Sequence, residues 1–423
     1  MSRNQAVLQK LSATRQWQED FYRDLHAHPE LSGQEARTAA NVAERLVETG
    51  YAVQRLGGGV VGVLANGEGP VVLARADMDA LPVTELTELA YASGETSTDE
   101  TGAVVGISHA CGHDVHVTCL LGAAELLARG ASEWQGTFVA LFQPAEETAS
   151  GAQAMLDAGL VDAIPRPEVA FGQHVLGLEA GTVGTQAGPV LSAGDSVRIT
   201  LYGKGSHGSM PHLSVDPVVL AASVVLRLQP IVSREVKPGE FAVVTVGSSV
   251  AGTKSNVIAD RAVLLVNVRT YDDAVRSHVL AAIERIVRAE CDAAGSPQPP
   301  TFDYYDQYPL TDNDAEVAEA VTQAFRGHFG DERVVALGRV TASEDFSRVP
   351  DAFGIPYCYW GVGGFAAGTE APPNHSPFFA PLIQPTLDTG TSALVVAALS
   401  RLGDRADGGG AQARSDAPAG QPV

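Results

Sequence analysis

The chain has 423 residues, of which 45% are hydrophobic and 18% are charged, and this length and composition are typical of a globular protein with two domains. Its 50 Asp and Glu residues outnumber its 28 Lys and Arg residues, which gives a formal net charge of -22 at pH 7. This charge disfavours nucleic acid and anionic membrane surfaces as partners, but it does not exclude a small substrate, because an acidic protein can hold a locally positive site.

The first part of the chain alternates helical and strand-like segments. Amphipathic helices are predicted over 4–25 and 35–49, and Pro29 and Gly50 end regular structure after them. The alternation that follows favours an α/β sheet with helices on both faces. The predicted strands span 60–65, 71–76, 137–142 and 169–172, and the predicted helices between the later ones span 115–127 and 151–159.

The pattern changes near Ser192. The next elements are predicted in the order strand, helix, strand, strand, helix, strand, which suggests a ferredoxin-like sandwich. They span 196–202, 216–231, 242–250, 262–269, 272–294 and 301–305. After about Tyr308 the α/β pattern resumes, with a helix over 314–329 and a strand near 357–360.

One domain interrupted by another is the simplest organisation that fits this order. We expect residues 1–192 and 308–403 to form the first domain and residues 193–307 to form the inserted one. Residues 404–423 are rich in Gly, Ala, Asp and Pro, so a disordered tail is predicted there.

The cysteines and the N-terminus bear on the cellular compartment. The cysteines show no disulfide-framework spacing, and reduced thiols indicate the cytoplasm. They are Cys111, Cys119, Cys291 and Cys358. The first residues lack an apolar signal core, and no apolar run is judged long enough to span a membrane. We therefore expect a cytoplasmic protein without a membrane partner.

The densest group of potential metal ligands is the stretch from His109 to His116, which holds three histidines, a cysteine and an aspartate. Cys111 and His113 flank Gly112, and a tight glycine turn can direct a thiolate and an imidazole to one point. Taken alone, such a triplet is more often a buried thiol beside a surface histidine. A zinc finger is disfavoured because no second Cys/His pair follows at finger spacing.

A second group of potential ligands, Glu146 and Glu147, follows the predicted buried strand 137–142. Pro144 ends this strand and leaves both carboxylates in a loop or at a helix start. Adjacent carboxylates at the end of an apolar strand are costly unless a cation or another partner is near. A solvated loop is the alternative, and the pair alone does not exclude it.

Short segments along the whole chain, apart from the tail, carry a family resemblance. They are HAHPE at 26–30, RADMDALP at 75–82, CGHD at 111–114, PAEE at 144–147, QHV at 173–175, GKGSH at 203–207, NVIAD at 256–260, SEDF at 343–346 and NH at 374–375. Each is weak alone, but in this order the set resembles the M20 metallopeptidase family. Within it, the set is most similar to the amidohydrolase branch of aminoacylases, hippurate hydrolases and auxin-conjugate hydrolases.

The resemblance implies a fold and a metal site. The fold is a metal-dependent exopeptidase-like catalytic domain, with a mixed sheet flanked by helices, and an inserted ferredoxin-like α+β lid domain. The resemblance implies a site for two divalent metal ions, and this is physically sensible, since a thiolate can bridge two ions while His and Glu complete each shell. The thiolate favours zinc, nickel or cobalt, and manganese is also common in such enzymes. The matching ligands are Cys111, His113, Glu147, His174 and His375.

One departure concerns Arg75 and Asp77, where many M20 relatives carry His-x-Asp. Arginine stays protonated and cannot ligate a metal, so His113 is expected to supply the replacement imidazole. Asp77 would then orient a ligand, and a turn aspartate is the alternative. Three further histidines are expected to act as supports: His26, His28 and His116.

The resemblance also implies catalytic and substrate-binding residues. Glu146 matches the general base, and His207, from the inserted domain, matches the donor to the developing oxyanion. Asn256 and Arg269 match residues that hold the substrate, and Arg269 could grip an α-carboxylate bidentately. His212 is a further candidate for the same pocket. A polar loop histidine for His207 and a surface salt bridge for Arg269 are the alternatives.

The implied activity is metal-dependent hydrolysis of the amide bond of N-acyl amino acids, which yields a carboxylic acid and a free amino acid. A dipeptidase or carboxypeptidase of the same family is one alternative. An inactive metal-dependent binding protein is another, which the presence of Glu146 disfavours. In several relatives the lid histidine comes from a neighbouring subunit, so we expect a homodimer, with hinge motion near Ser192 and Tyr308.

Overall fold

A nine-stranded and a four-stranded β-sheet organise the computed structural model, which describes residues 2–98 and 102–404. The helices are α1 (Arg3–Leu8), α2 (Leu11–Ala27), α3 (Ala36–Glu48), α4 (His113–Arg129), α5 (Gly151–Asp157), α6 (Leu160–Ala163), α7 (Pro217–Leu228), α8 (Asp273–Ala294), α9 (Ala315–Phe329), α10 (Arg348–Phe353) and α11 (Thr386–Leu399).

The strands of the large sheet are β1 (Ala52–Leu56), β2 (Gly59–Asn66), β3 (Val71–Asp77), β6 (Trp134–Gln143), β7 (Val169–Glu179), β8 (Val183–Thr185), β17 (Val334–Ala336), β18 (Tyr357–Phe365) and β19 (Gly403–Asp404). Those of the small sheet are β10 (Ala193–Tyr202), β12 (Ala242–Ala251), β14 (Arg261–Thr270) and β15 (Thr301–Tyr308). Short two-stranded pairs are formed by β4 (Thr96–Thr98) with β5 (Val104–Gly106), β9 (Gly188–Leu191) with β16 (Thr311–Asn313), and β11 (Ser206–His207) with β13 (Val257–Ile258).

The large sheet is mixed, in agreement with the predicted fold class. Its strands follow the order β1-β2-β6-β3-β7-β18-β8-β17, and β19 pairs with β6 outside this path. The central strands β6, β3, β7 and β18 run parallel, whereas β2 pairs with β6 and β8 pairs with β18 in antiparallel fashion. Parallel central strands direct their carboxyl ends to one edge, where open α/β sheets bind ligands.

Helices cover both faces of the large sheet because its central strands are apolar on both sides. On β6, Phe138 and Phe142 pack into a core that includes α2, α4 and α11. Val139 and Leu141, which alternate with them, pack into a second core with α5, α6 and α10. This packing of helices on both faces of the large sheet places the loops after β3 and β6 beside the amino end of α4.

The small sheet has the predicted strand-helix-strand-strand-helix-strand order and the strand arrangement β12-β14-β10-β15. All its pairs are antiparallel. One face packs against α7 and α8, where Val224 and Ile283 join Ile199 and Val266 in a separate hydrophobic core. The burial of β14 alternates along the strand, so its other face is more open.

Two predicted segments differ from the structure. The helix predicted over 4–25 is divided into α1 and α2, which lets α1 pack Val7 and Leu8 into the same core as α11. Asp404, which was predicted to be the first residue of the tail, belongs to β19 and pairs with Trp134. Trp134 can pair because it precedes the β6 residues that bond to β2 and β3. Residues 405–423 lie outside the described residues.

The expectation that no apolar segment reaches membrane length needs a correction. Among the described residues, the helical stretch Pro217–Glu235 is long and apolar enough, by composition, to cross a membrane. Its outer positions are apolar as well as its inner ones, with Val219 and Leu226 exposed and Val224 buried. One such stretch is weak evidence for a membrane-spanning helix, because a helix that packs on a protein core can have the same length and composition.

Candidate metal centre

Cys111 and His113 are positioned by a turn that requires glycine between them. Gly112 has a φ of 82°, and a Cβ at this position would lie 2.3 Å from Cγ1 of Val175. The left-handed turn starts α4 at His113 and leaves the Cys111 thiol at the end of the loop. Sγ of Cys111 then lies 3.4 Å from Nε2 of His174, on β7.

His174 is held in the form that ligates metals. Its Nδ1 lies 2.8 Å from the carbonyl oxygen of Val175 and donates to it, which leaves the Nε2 lone pair directed towards Cys111. Burial lowers the pKa of His174 well below its usual value, so the ring is neutral. A neutral imidazole with a fixed tautomer is a ready metal ligand.

Glu147 and His375 also place ligand atoms close to the thiol. Nε2 of His375 lies 3.3 Å from a carboxylate oxygen of Glu147. The backbone N–H of His375 donates to the carbonyl of Ala110 at 2.7 Å, which ties this late segment to the Cys111 loop. Hydrogen bonds with Cys111 and Glu147 raise the pKa of His375 to about 10, so these two neighbours favour a positive charge on the ring.

The five predicted ligands form two donor sets that share one thiol. Cys111, His113 and His174 make one set, and Cys111, Glu147 and His375 make the other, with the ligand atoms of each set within 4.8 Å of one another. Nε2 of His113 and Oε1 of Glu147 are buried, lie 3.8 Å apart and have no hydrogen-bond partner among the described residues. Unpaired buried polar atoms are costly, and a cation between them would offset that cost. The residues therefore fit two divalent cations, which these two donor sets would hold.

Asp79 orients His113, and no sequence pattern had marked it for this role. Its Oδ1 lies 3.2 Å from Nδ1 of His113, and its Oδ2 accepts from the backbone N–H of Glu147 at 3.0 Å. One carboxylate thus fixes a ligand from each donor set. The only local signal was its place after β3, two residues beyond Asp77, in the stretch that matches the family.

Asp77, expected to orient a ligand, lies close to His116 and to His113. Its Oδ1 lies 2.6 Å from Nδ1 of His116, and its Oδ2 lies 3.7 Å from Nε2 of His113. Nε2 of His116 in turn accepts from the backbone N–H of Val175 at 2.8 Å, next to His174. Asp77 thus acts on the His174 segment through His116, and the direct hydrogen bond to His113 belongs to Asp79.

Arg75 is a buried cation at the centre of a carboxylate cluster. Its guanidinium lies 2.6 Å from Asp77, 2.8 Å from Glu344 and 3.1 Å from Asp345. Burial opposes its charge, but these carboxylates raise the pKa of Arg75 well above its usual value. A fixed positive charge here offsets part of the repulsion between acidic groups that would otherwise be costly to bury.

Glu146 lies beside this cluster and outside both donor sets that share Cys111. A carboxylate oxygen of Glu146 comes within 4.8 Å of ligand atoms of Glu344 and Asp345, and one also comes within this distance of ligand atoms of His113 and Glu147. Burial, followed by repulsion from Glu344 and Glu147, raises the pKa of Glu146 well above its usual value. A carboxylate with a raised pKa holds a proton more strongly, which suits a group that must accept one and release it.

A cavity of about 190 Å³ connects these groups with Arg269. Nε of Arg269 donates to Asn267 at 2.9 Å, and Nη1 donates to Ser343. Among the described residues, Arg269 makes no ion pair with a carboxylate, so the surface salt bridge considered for it is absent. Burial lowers the pKa of Arg269, and an anion in the cavity would stabilise its charge.

His207, His212 and Asn256 lie outside the set of residues that line this cavity. All three are exposed on the side of the small sheet. His207 pairs through its backbone with Val257, and its Nδ1 lies 2.8 Å from the Ser209 hydroxyl. It lines a separate open groove of about 880 Å³. The pairing of β11 with β13 keeps His207 and Asn256 close to each other but away from the metal ligands.

A match to a protein-family model shows to which family the chain belongs. Residues 73–400 match the model described as peptidase family M20/M25/M40. The chain belongs to this family. The match spans both parts of the large sheet and the small sheet between them, so the resemblance drawn from the short segments is confirmed.

Two curated relatives and a solved structure support the same assignment. An N-acetylcysteine deacetylase of Bacillus subtilis is 35% identical to this M20 chain, over 87% of the chain and 96% of the relative. Thermostable carboxypeptidase 2 of Saccharolobus solfataricus is 34% identical, over 86% and 90%. The Bacillus subtilis YXEP protein, described as a dinuclear metal binding peptidase from the M20 family, superposes with a TM-score of 0.74 at 29% identity, over 92% and 99%.

Proposed function

We propose that this M20 enzyme hydrolyses the amide bond of N-acyl amino acids. The observation that carries the proposal is the shared cavity, which is lined by four of the five candidate ligands together with Glu146 and Arg269. The deacetylase among the relatives acts on a substrate of this class, which supports the same reaction here. The carboxypeptidase among them keeps peptide hydrolysis as the second candidate.

Two divalent ions are the proposed cofactors, held by Cys111, His113 and His174 and by Cys111, Glu147 and His375. When bound, such ions polarise an amide carbonyl and lower the pKa of a water molecule from 15.7 to about 7. Zinc, nickel, cobalt and manganese remain the candidates, and the mixed sulfur, nitrogen and oxygen donors favour the borderline ions among them.

Glu146 moves the proton in the proposed mechanism. A carboxylate oxygen of Glu146 accepts a proton from the attacking water as the oxygen bonds to the amide carbon. The same oxygen then delivers the proton to the amide nitrogen as the C–N bond breaks, so the amine leaves in neutral form.

Arg269 and the apolar side of the cavity explain why an acyl amino acid fits better than a dipeptide. The guanidinium can bind the α-carboxylate of the amino acid bidentately. The cavity is also lined by apolar side chains, among them Leu176, Leu337 and Trp360. An apolar surface suits an uncharged acyl group, whereas the ammonium group of a dipeptide would lose hydration there without gaining a partner.

The oxyanion donor and the assembly remain proposals. We propose that His207 reaches the cavity of a neighbouring subunit in a homodimer, or of its own subunit after lid closure, since it is exposed and apart from the metal ligands. Asn256 would move with it, because its carbonyl accepts from Gly208, next to His207. His212 lies in the same exposed region and is proposed to contact the substrate. The free state of the four cysteines supports a cytoplasmic location.

A substrate panel tests the proposal. Protein loaded with zinc, manganese, cobalt or nickel is assayed on N-acetyl amino acids, on the matching dipeptides and on N-acetyl amines that lack the α-carboxylate. We expect hydrolysis of the acetylated amino acids, with kcat/KM at least about a hundredfold lower when the carboxylate is missing. Faster hydrolysis of the dipeptides would contradict the proposal and favour the second candidate.

A further inference from the structure

The metal-site cavity has an apolar part to its lining. It comes from β7, from β18 and from the irregular segment between β17 and the Glu344 loop. We call these residues the apolar wall: Leu176, Leu337, Val340, Trp360 and Gly361. No charged side chain belongs to it, so its contact with a substrate depends on shape and size rather than on charge.

Backbone hydrogen bonds hold the irregular part of the wall in place. The N–H of Leu337 donates to the carbonyl of Thr185 at 3.2 Å, and the N–H of Val340 donates to that of Val190 at 2.8 Å. Leu337 and Val340 also pack on the hydrophobic core under the large sheet. A segment tied at both ends and packed on a core is a fixed surface, and a fixed surface can discriminate by size.

The leucine side chains of the apolar wall cannot move closer to β18. A Cβ at Gly361 would lie 2.9 Å from Cδ1 of Leu176 and 3.0 Å from Cδ1 of Leu337. Both leucines therefore already lie against the bare backbone of this glycine. A longer substrate group cannot push them back without moving a central strand of the large sheet.

The size of the cavity limits its occupant. Its volume of about 190 Å³ is below the roughly 300 Å³ at which ligand pockets usually begin. We propose that the cavity takes short acyl groups and that Leu337 sets the limit on acyl length. This inference rests on the proposed function.

Leu337 is the position at which the limit can be changed with the least effect on the fold. It lies outside the strands and is half-buried, whereas Trp360 and Gly361 are buried in β18. Leu178 offers a matched control, because its Cδ1 lies 3.4 Å from the same point at Gly361 but the side chain does not line the cavity. Its truncation loosens the same leucine cluster without enlarging the cavity directly.

The test compares one amino acid carrying acetyl, butanoyl and hexanoyl groups. The readout is the ratio of kcat/KM for the hexanoyl to that for the acetyl substrate in Leu337→Ala, Leu337→Phe and Leu178→Ala. One methylene in an apolar pocket changes kcat/KM by roughly tenfold or more. We expect the ratio to rise at least about tenfold in Leu337→Ala, to fall by about tenfold in Leu337→Phe, and to stay within about twofold in Leu178→Ala.

The outcomes separate this inference from the proposed function. Ratios within about twofold of wild type in both Leu337 variants, with acetyl activity retained, would overturn the inference alone. If Leu337→Phe fails to fold, as judged by circular dichroism, the Leu337→Ala ratio decides by itself. Wild-type protein that hydrolyses none of the three substrates would overturn the proposed function and this inference with it.

Discussion

Asp79 is the side chain on which the geometry of both donor sets depends, because it contacts His113 and the backbone of Glu147. We predict that Asp79→Asn weakens metal binding by roughly tenfold to a hundredfold, since an amide is a poorer acceptor for the imidazole N–H. Competition with a chromophoric chelator measures the affinity. Ser32→Ala is the control: it removes another hydrogen bond to Asp79 (2.7 Å) and should change the affinity much less. Equal affinity in Asp79→Asn and wild type would contradict this role.

His26 provides a prediction for stability against pH. Its ring nitrogens lie 2.7 Å from Asp114 and 3.0 Å from Glu85. Burial opposes the charge, but these carboxylates raise the pKa of His26 from 6.5 to about 10. Because the folded-state pKa exceeds the unfolded one, the charged ring stabilises the fold fully below pH 6.5, and this contribution is lost as the pH rises through about 10.

Urea unfolding of wild type and His26→Gln across this pH range checks the expectation. The difference in unfolding free energy should be largest near pH 6.5 and should shrink towards pH 10. His28→Gln is the control, because His28 is exposed and its substitution should change the stability little at any pH. A constant difference for His26→Gln would show that its charge does not contribute.

At the scale of elements, the turn before α4 carries the thiol and the imidazole. Gly112→Ala combines a left-handed φ of 82° with a contact of 2.3 Å to Val175. Gly159 has a φ of 91° but no atom within 4 Å of its Cβ position, so Gly159→Ala measures the backbone strain alone. We expect about 1 kcal/mol of destabilisation for Gly159→Ala and several kcal/mol for Gly112→Ala, together with loss of metal binding. Chemical unfolding measures the stability of the two variants, and equal losses of stability would contradict the steric account.

Elements with a strong local pattern could be predicted from the sequence. The helix predicted over 272–294 is α8, Asp273–Ala294, because Asp272 caps it by accepting from the backbone of Val275 and Gly295 ends it in a left-handed turn. The strand predicted over 137–142 lies within β6 because its apolar run is buried on both faces. In contrast, α11 (Thr386–Leu399) was missed, since it is buried all round and has little helical periodicity to reveal it.

Part of the site could also be predicted, because it is marked by short local segments of the sequence. The five ligands follow from family segments, and the structure brings these segments to one place. The Arg75 cluster could not be read in this way, because Arg75 and Glu344 are separated by 269 positions and meet only through the packing of β3 against a distant loop. The apolar wall also needs the structure, since its members come from three separate segments.

At the scale of the whole molecule, the exposed apolar side of α7 suggests where two subunits meet. Val219 and Leu226 are 63% and 70% exposed and are two helical turns apart, so they share one face. We predict a dimer in sedimentation velocity at micromolar concentration and a monomer when both residues are replaced by Glu. Leu86→Glu, at a leucine that is 52% exposed outside the small sheet, should leave the dimer intact. A monomeric wild type would contradict the proposed assembly.

The most direct test of the proposed mechanism is the activity of Glu146→Gln measured together with its metal content. The account predicts a fall in kcat on an N-acyl amino acid of roughly a hundredfold to ten-thousandfold, with metal stoichiometry unchanged, because Glu146 moves the proton and binds neither ion. Glu168→Gln, at an exposed carboxylate before β7, should keep wild-type activity. Full activity in Glu146→Gln, with both ions bound, would contradict the central claim.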